Sequence, residues 1–402
     1  MKELKKEIKK IPVIGKMAVS FKHNEEKGYM IWANKVYGVK DKKAVFISFQ
    51  GKSYSDNPRA ISEKLHELHP EFEIVWLFTR PDEKRKIVPG YVRCVDAESS
   101  AALKELATAK FWVDNFTKPL FVYKSRDQVY IQTGHGDRGF KKVLYDVRTL
   151  LPDGHYKEGD LLEPEICDLA VSGSEFMNSL YKTAFGYEGE ILTSGSPRND
   201  KLVNIDERKV EETRVKLKLK TVTKVLLYAP TFRDSKLGEA QKLDSKALGD
   251  VISTLEKKTG SSWICLIRAH SAVSGFEEQQ VHDGRIMDVT SYEDMNDLLL
   301  ISDILITDYS SSAGDFALLG RLIILYQNDR EEYSKNDRTF YFDIDESPYM
   351  VAMNQGELIR KIRDMDMAAV QENCRDILAF YGTVETGKSS EAVVNYIISK
   401  LQ

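Results

Sequence analysis

Short apolar segments alternate with amphipathic helical segments along most of the chain, and this alternation limits the fold more than any other feature. The apolar segments have the length and composition of strands that are buried on both faces. Strands separated by helices form parallel sheets that are covered by helices on both sides. The predicted strands are 44–49, 73–78, 111–114, 129–133, 169–172, 191–193, 225–228, 263–267, 286–289, 304–307 and 322–325.

A charged helical stretch, residues 205–220, interrupts the alternation before it resumes. A chain of 402 residues with 42% hydrophobic residues is long enough for two domains with separate cores. We therefore predict two doubly wound, Rossmann-like α/β domains that face a central cleft. The predicted parts are a basic amphipathic segment over residues 1–30, a first α/β domain over 31–205 and a second over 206–402.

The first 22 residues carry seven lysines and two glutamates, with apolar residues at helical spacing. Such a basic amphipathic segment is suited to an anionic membrane surface, although a helix packed on the first domain with its lysines in solvent explains the pattern equally well. No apolar run approaches the roughly 20 residues that span a bilayer. The net charge of −4 argues against nucleic acid as a partner. Four scattered cysteines, without a CxxC pair, favour a reducing compartment and argue against a zinc site.

A single histidine follows the predicted strand 129–133 and lies between two glycines, Gly134 and Gly136. The glycines allow a sharp turn that leaves the imidazole of His135 accessible. An imidazole titrates near neutral pH, so it can take a proton from an alcohol. We predict that His135 is a general base, against the alternative of a solvated histidine in a polar loop.

The residues after this histidine are charged, and they suggest a site that handles phosphate. Asp137 is predicted to orient His135 or to act with it in catalysis. A turn motif, SGSPRND, follows the strand 191–193, and a purely structural turn accounts for it nearly as well. The predicted acceptor-side and phosphate-handling residues are Gly136, Arg138, Lys141 and Arg198.

Cationic residues also follow two predicted strands of the second domain. Arg233 comes after the strand 225–228, and its guanidinium could bind two phosphate oxygens, or it could be a surface arginine. Arg268 and His270 are two residues apart, so in an extended segment they point to the same side. Together they are predicted to clamp a pyrophosphate, with two polar residues that merely end a strand as the alternative.

Three serines follow the predicted strand 304–307 and open an apolar helical segment. Amide groups in the first turn of a helix are unpaired, and serine hydroxyls add further donors, so the segment can bind an anion without a metal. Ser310, Ser311 and Ser312 are therefore predicted to bind an anion. Asp308, itself an anion, is predicted to orient a donor group or a sugar hydroxyl. Simple capping of the helix by serine is the alternative, and it needs one hydroxyl only.

These motifs, in this order, resemble those of the CDP-glycerol glycerophosphotransferase family, and they cover residues 132–391. The matching segments are GHGDRGFKK, SGSPRND, YAPTFRD, IRAHS, TDYSSSAGDFALL, RTFYFDID and TGKSSE. The resemblance implies a GT-B-like fold, with an acceptor-side domain over residues 31–205 and a donor-binding domain over 206–402. It also implies a peripheral enzyme, with a membrane-associating segment over residues 1–30, on the cytoplasmic face of the cell membrane. It implies that His135 is the base and that Arg268, His270, Ser310 and Ser311 hold the donor phosphates. Gly134 and Asp137 replace the tryptophan and threonine that are usual in the family. Both lie in the motif on the acceptor side, so the identity of the acceptor is what these replacements leave open.

The resemblance implies transfer of glycerol phosphate or ribitol phosphate from CDP-glycerol or CDP-ribitol to a lipid-linked acceptor, with release of CMP. The acceptor would be a teichoic acid or a related surface polymer. We predict that no cofactor or metal is required, although Asp343 and Asp345 form a pair that could hold magnesium. A GT-B glycosyltransferase that uses a nucleotide sugar, a UDP-sugar epimerase and a non-catalytic scaffold for anionic polymers are the alternatives. The sequence leaves open the polyol, the choice between primase and polymerase, and whether the chain is a homo-oligomer.

Overall fold

The computed structural model describes residues 12–116, 123–147, 166–231, 243–269, 284–336 and 339–401. Its first element is the helix α1 (Pro12–Tyr37), which begins at a proline, as helices often do. Met30 and Ala33 are buried in the N-terminal domain, and the Asn34 side-chain amide donates to the backbone oxygen of Ala107. Residues 1–11 of the predicted membrane segment lie outside the described residues. Within the described chain, no helix is both long and apolar enough to cross a membrane.

The N-terminal domain is built on a sheet of seven parallel strands in the order β3-β2-β1-β4-β5-β6-β7. Its strands are β1 (Lys40–Ile47), β2 (Glu73–Phe78), β3 (Arg93–Asp96), β4 (Ala109–Asp114), β5 (Val129–Gln132), β6 (Leu169–Ser172) and β7 (Glu190–Thr193). Its helices are α2 (Asp56–Leu68), α3 (Pro81–Lys84), α4 (Ser100–Thr108), α5 (Glu175–Thr183) and α6 (Asp200–Val203). Because the strand order reverses between β1 and β4, a crevice forms at their carboxyl ends.

The C-terminal domain repeats this arrangement with six parallel strands in the order β10-β9-β8-β11-β12-β13. After the connecting helix α7 (Glu207–Lys216), its strands are β8 (Lys224–Ala229), β9 (Trp263–Ile267), β10 (Ile286–Asp288), β11 (Ile304–Thr307), β12 (Leu322–Tyr326) and β13 (Val351–Ala352). Its helices are α8 (Ser245–Thr259), α9 (Met295–Ile301), α10 (Ser312–Phe316), α11 (Arg330–Asn336), α12 (Gln355–Asp364) and α13 (Met367–Phe380). Here the order reverses between β8 and β11, so the second crevice lies at the ends of these two strands.

The strand predictions are confirmed where the apolar pattern is strong. Strands β2, β6, β9 and β11 have the predicted bounds, and most of their residues are buried, as parallel strands between two helical layers require. Strand β3 was not predicted. It starts with Arg93, ends with Asp96 and has only two buried residues between them, which leaves little apolar pattern to recognise.

The last helix, α14 (Ser389–Ser399), returns to the N-terminal domain. Val393, Val394 and Ile397 are fully buried, in the same core cluster as Phe46 and Trp76 of that domain's sheet. The assignment of residues 206–402 to the second domain is therefore wrong for this helix. Its apolar face was visible in the sequence, but the sheet against which it packs was not.

This packing predicts a large loss of stability when the buried face of α14 is trimmed. Replacing Ile397 with Ala should lower the free energy of unfolding by about 2–5 kcal/mol, because it removes buried methyl groups and leaves a cavity. The control is Val222→Ala, since Val222 is 80% exposed and should change stability by less than about 0.5 kcal/mol. Urea unfolding measures both values. Equal effects of the two substitutions would contradict the docking of the helix on this core.

Candidate active site

The candidate site lies where the two crevices meet. In the N-terminal domain, the residues that follow β1, β4 and β5 come together around His135. In the C-terminal domain, the residues that follow β8 and β11 are joined by Asp308. Ligands of open parallel sheets bind outside the carboxyl ends of the strands at such reversal points. The fold thus places most of the predicted polar motifs on one side of each sheet.

His135 is exposed, and its ring is held in one orientation by three neighbours. Phe116 stacks on it, with ring centroids 4.4 Å apart and an interplanar angle of 6°. Phe49 packs against it at 5.6 Å. The His135 Nδ1 atom lies 2.9 Å from the backbone oxygen of Asn115. Phe116 and Asn115 follow β4 directly, so the central strand of the sheet positions the imidazole.

The bond to Asn115 also determines which nitrogen of His135 can act as a base. A backbone oxygen only accepts hydrogen bonds, so Nδ1 must carry the proton. In the neutral imidazole the lone pair is then on Nε2. The ring therefore presents an unprotonated nitrogen, as a general base needs.

Asp137 does not orient this histidine, which corrects the sequence prediction. Its carboxylate is buried, and Oδ2 accepts a hydrogen bond of 2.6 Å from the backbone NH of Gly173. Oδ1 lies 3.5 Å from the guanidinium of Arg138. The Asp137 side chain is therefore turned towards the interior, whereas that of His135 is exposed. The orienting group is the Asn115 backbone oxygen, which a sequence pattern does not reveal.

The loop that carries His135 directly contacts the loop of the other domain that carries Ser311. We call them the histidine loop and the serine loop. A Cβ atom added at Gly136 would lie 2.9 Å from the Ser311 hydroxyl oxygen. A Cβ atom added at Gly314 would lie 2.4 Å from the Arg138 Cβ atom. Both approaches are too close for a side chain, which explains the glycines at these two positions. His135 and the predicted donor-binding serines are thereby brought to the same opening.

The serine motif forms a tighter and shorter structure than predicted. Helix α10 begins at Ser312, has five residues and continues as a 3-10 turn over Ala317–Leu319. The Ser310 and Ser312 hydroxyls lie 2.9 Å apart, and the Ser312 backbone NH donates to the Ser310 hydroxyl. The Ser311 side chain makes no capping hydrogen bond and faces Gly136. Two of the three hydroxyls thus organise the loop, and Ser311 is the one that faces the opening.

Asp308 ties the ends of two neighbouring strands together. Its carboxylate is buried and accepts hydrogen bonds from the Thr231 backbone NH at 2.9 and 3.1 Å, and from the Thr231 hydroxyl. These bonds give Asp308 a structural role, and its orienting of a donor group or a sugar hydroxyl stays a prediction. Arg233, two residues after Thr231, lies outside the described residues, and so does His270.

Arg268 follows β9 and lies at the same end of the C-terminal sheet. Its guanidinium donates to the backbone oxygen of Tyr292. Burial lowers the pKa of Arg268 from its ordinary value, while Asp294 and Glu293 oppose that effect. Among the described residues, the Arg268 guanidinium makes only this one hydrogen bond. Its other N–H groups can therefore donate to a phosphate. Arg268 thus remains a candidate for the donor site.

Arg138 and Arg198 are not exposed to a substrate, which corrects the prediction that they handle phosphate. Their side chains are 0% and 2% exposed. Arg138 donates to Asp315 at 2.5 Å and to Glu385 at 3.0 Å. Arg198 donates from Nε to the other oxygen of Asp315 at 3.1 Å. We call Arg138, Arg198, Asp315, Glu385 and Asn199 the buried ionic cluster, and it fastens the two domains together.

Burial and charge oppose each other within this cluster. Burial alone would raise the pKa of Asp315, but Arg198 and Arg138 outweigh it and hold that pKa below the usual range. For Glu385 burial dominates, and it raises the pKa to about 7 although Arg138 and Asn199 favour the charged form. Asn199 completes the cluster with hydrogen bonds of 2.9 Å to both carboxylates. Asp137, 3.5 Å from Arg138, adds a third carboxylate beside the two arginines, so a proton on Glu385 leaves two negative charges for two positive ones.

Three residues near His135 were missed by the sequence prediction. Asn115 and Asn57 are buried and bind backbone groups of the site, and the Asp56 carboxylate lies 3.8 Å from the Arg198 guanidinium. Asn57 and Asp56 lie in the segment SYSDNPRA, where an acidic residue before Asn-Pro interrupts an otherwise ordinary start of a helix. This unusual segment could have drawn attention to Asn57 and Asp56. Their place in the site could not be read from it, because it depends on contacts with a distant loop.

The remaining predicted residues lie at the edge of the site or are bound elsewhere. Lys141 pairs its backbone with Phe340 of the C-terminal domain in an antiparallel bridge. Asp343 accepts a hydrogen bond from the Asp345 backbone NH, and Asp345 forms an ion pair of 2.7 Å with Arg330. Among the described residues there is no group of three or more His, Cys, Asp or Glu side chains that could hold a metal ion.

The raised pKa of Glu385 predicts how stability changes with pH. The folded protein keeps a proton that the unfolded chain releases near pH 4.5, so stability should fall as the pH rises from about 4.5 to about 7. The expected loss is on the order of 3 kcal/mol. Glu385→Gln should remove this part of the pH dependence, as thermal unfolding measured across pH 5–8 will show. Glu331→Gln, on a side chain that is 91% exposed, is the control. If the stability of the wild type and of Glu385→Gln changed with pH in the same way, the raised pKa of Glu385 would be contradicted.

Known proteins with similar sequences carry out one kind of reaction. A teichoic acid poly(glycerol phosphate) polymerase from Staphylococcus epidermidis is 32% identical over 93% of this chain, which spans 53% of that protein. A teichoic acid glycerol-phosphate transferase from Staphylococcus aureus is 33% identical over 88% of this chain and 92% of its own length. The chain spans about half the length of the first of these relatives and nearly all of the second.

The fold has a close counterpart among solved structures. The wall teichoic acid polymerase TagF superposes with a TM-score of 0.82 at 30% identity, over 96% of this chain and 95% of that chain. Another structure of TagF is of a histidine variant soaked with CDPG. The GT-B-like architecture expected from the resemblance is thereby confirmed. The profile of the family CDP-Glycerol:Poly(glycerophosphate) glycerophosphotransferase matches residues 29–399, and the chain belongs to this family.

Proposed function

We propose that this protein transfers glycerol phosphate or ribitol phosphate from a CDP-polyol to the hydroxyl of a teichoic acid or a related surface polymer. The observation that carries this proposal is the close approach of the two domains at the site, where Gly136, the residue after His135, packs against Ser311. A base on one side and anion-binding groups on the other are what transfer to an alcohol requires. Membership of the family and the similarity to TagF support the same reaction.

In the proposed reaction the acceptor oxygen attacks the β-phosphorus of the CDP-polyol. Its proton passes to Nε2 of His135 as the new oxygen–phosphorus bond forms. The bond between the β-phosphorus and the bridging oxygen breaks, and CMP leaves with the bonding electrons. Arg268 and the Ser311 hydroxyl would stabilise the charge that develops on the phosphates. This chemistry asks of the protein mainly positioning and electrostatic stabilisation.

We also propose that the acceptor is lipid-linked and that the enzyme works as a peripheral protein on the cytoplasmic face of the cell membrane. The basic segment that precedes α1 supports this location through its attraction to anionic lipids. Trp32, Val36 and Tyr37 of α1 are exposed, and aromatic side chains of this kind favour the membrane interface. A flotation assay with anionic vesicles would test the location, and failure to bind them would contradict it.

The reaction is tested with CDP-glycerol and CDP-ribitol in separate assays, each with a short synthetic lipid acceptor. The proposal expects CMP and a product heavier by one or more polyol phosphates, identified by mass spectrometry. Release of UDP from a nucleotide sugar instead would indicate a glycosyltransferase. Absence of turnover with both CDP-polyols and the acceptor would contradict the proposal.

Replacing His135 with Asn should lower turnover by about 100-fold or more, because the base is lost. The KM for the CDP-polyol should change little, since His135 acts on the acceptor. The matched control is His69→Asn, which removes a partly exposed histidine that pairs with Glu71. Steady-state kinetics measures both variants. Near-normal turnover of the His135 variant, or an equal loss of turnover in the His69 variant, would rule out His135 as the general base.

We propose that turnover requires no metal, because the charge of Arg268 and a hydrogen bond from the Ser311 hydroxyl can stabilise the phosphates. Asp343 and Asp345, the pair most suited to magnesium in the sequence, are engaged by a backbone NH and by Arg330. Activity in excess EDTA should therefore remain within about 2-fold of the untreated rate, a change smaller than 1 kcal/mol in the barrier. Loss of activity in EDTA that magnesium restores would contradict this proposal.

A further inference from the structure

The loop between β10 and α9, residues 289–294, lies between the candidate donor-binding arginine and the N-terminal domain. We call it the bridging loop. Its Thr290 hydroxyl accepts a hydrogen bond of 3.1 Å from the Ala269 backbone NH, and its Tyr292 backbone oxygen accepts one from the Arg268 guanidinium. One side of the bridging loop is therefore bonded to Arg268 and to the residue that follows it.

The other side of the bridging loop is bonded to the N-terminal domain through Glu293. The Glu293 carboxylate forms an ion pair with Lys84, the last residue of α3. It also accepts a hydrogen bond of 3.1 Å from the Tyr54 backbone NH. The side chains of Lys84 and Glu293 are 11% and 32% exposed, so water screens this ion pair less than it screens a pair on the open surface.

Asp294 makes the same connection with two further cations of the N-terminal domain. Its buried carboxylate lies 3.1 Å from Arg59 and 3.1 Å from Lys201. Burial lowers the pKa of Arg268, and Asp294 and Glu293 oppose that effect, as carboxylates close to its guanidinium do. Both carboxylates are thus paired with the N-terminal domain, and within the described part of the chain the Arg268 guanidinium forms no ion pair of its own.

We propose that Lys84 is a positioning residue for donor binding, which holds Glu293 and thereby keeps the Arg268 guanidinium in place for the donor phosphates. This role rests on the proposed function, in which Arg268 binds the CDP-polyol. Without Lys84, the Glu293 carboxylate is free to pair with Arg268 and to compete with the phosphates for its N–H groups. A carboxylate that has lost its cation also repels an anionic donor.

The positions of Lys84 and Arg268 in different domains have two consequences. Their connection through the bridging loop exists only while the two domains are in contact, so a bound donor should in turn favour that contact. Lys84 holds Glu293 and not the reacting groups, so its loss should weaken donor binding and leave the rate of the bound complex unchanged.

The test is Lys84→Met, which keeps the approximate length of the side chain and removes its charge. Calorimetric titration with CDP-glycerol and CDP-ribitol, without acceptor, should give a dissociation constant raised about 5-fold or more. The KM for the CDP-polyol should rise by a similar factor, with kcat within about 2-fold of the wild type. Lys84→Arg retains the cation and should restore tight binding. The matched control is Lys86→Met, on an exposed side chain of the same segment.

A double-mutant cycle separates the positioning of Arg268 from a general loss of structure. In the Arg268→Ala background, Lys84→Met should change the dissociation constant by less than about 2-fold, because the group that Lys84 positions is gone. Lys84→Gln takes the place of Lys84→Met in both measurements if the methionine variant does not fold. Factors that multiply in the double variant would overturn the role of Lys84.

The titrations also distinguish this proposal from the proposed function. If the wild type binds a CDP-polyol and the Lys84 variants bind it equally well, the role of Lys84 is overturned and the proposed function stands. If the wild type binds neither CDP-polyol, the proposed function is contradicted and the role of Lys84 falls with it.

Discussion

The arrangement of this molecule depends on a buried carboxylate, Asp315, that binds one arginine through each of its oxygens. Arg138 and Arg198 come from loops of the N-terminal domain, and Asp315 lies in α10 of the C-terminal domain. Transfer of these charges from water to the interior costs free energy, and only well-aligned ion pairs and hydrogen bonds offset that cost. An ionic contact of this kind adds less to stability than an apolar contact of equal size, but it permits only one relative placement of the two domains.

That placement explains the close approach of the histidine and serine loops. Arg138 is three residues after His135, and Asp315 is four residues after Ser311, so the pair of charges fixes the two loops at their bases. The glycines at 136 and 314 then allow the backbones to approach within contact distance. A second set of contacts, in which Asp294 binds Arg59 and Lys201, holds the domains together on another side of the crevice. The base and the donor loop are therefore positioned by structure that the substrate does not touch.

The sequence predicted the sheets well because their signal is local. Apolar runs of strand length are recognisable without knowing what they contact, and so are the helices between them. The described polar residues at the strand ends lie on one side of each sheet, but several of the roles predicted for them do not fit their contacts. Arg138 and Arg198 resemble phosphate ligands in a sequence, since the carboxylates that bind them are 117 to 247 residues away. Asp137 was misjudged for the same reason, since its hydrogen-bond partner Gly173 is 36 residues away.

The coupling between Arg138 and Asp315 tests this account most directly. A double-mutant cycle with Arg138→Gln and Asp315→Asn, measured as the free energy of unfolding in urea, isolates their interaction. We expect each single variant to be destabilised by about 3–5 kcal/mol, because it leaves a buried charge without its partner. The double variant should lose at least about 1 kcal/mol less than the sum of the two. Losses that add within about 0.5 kcal/mol would contradict the claim that this pair joins the two domains.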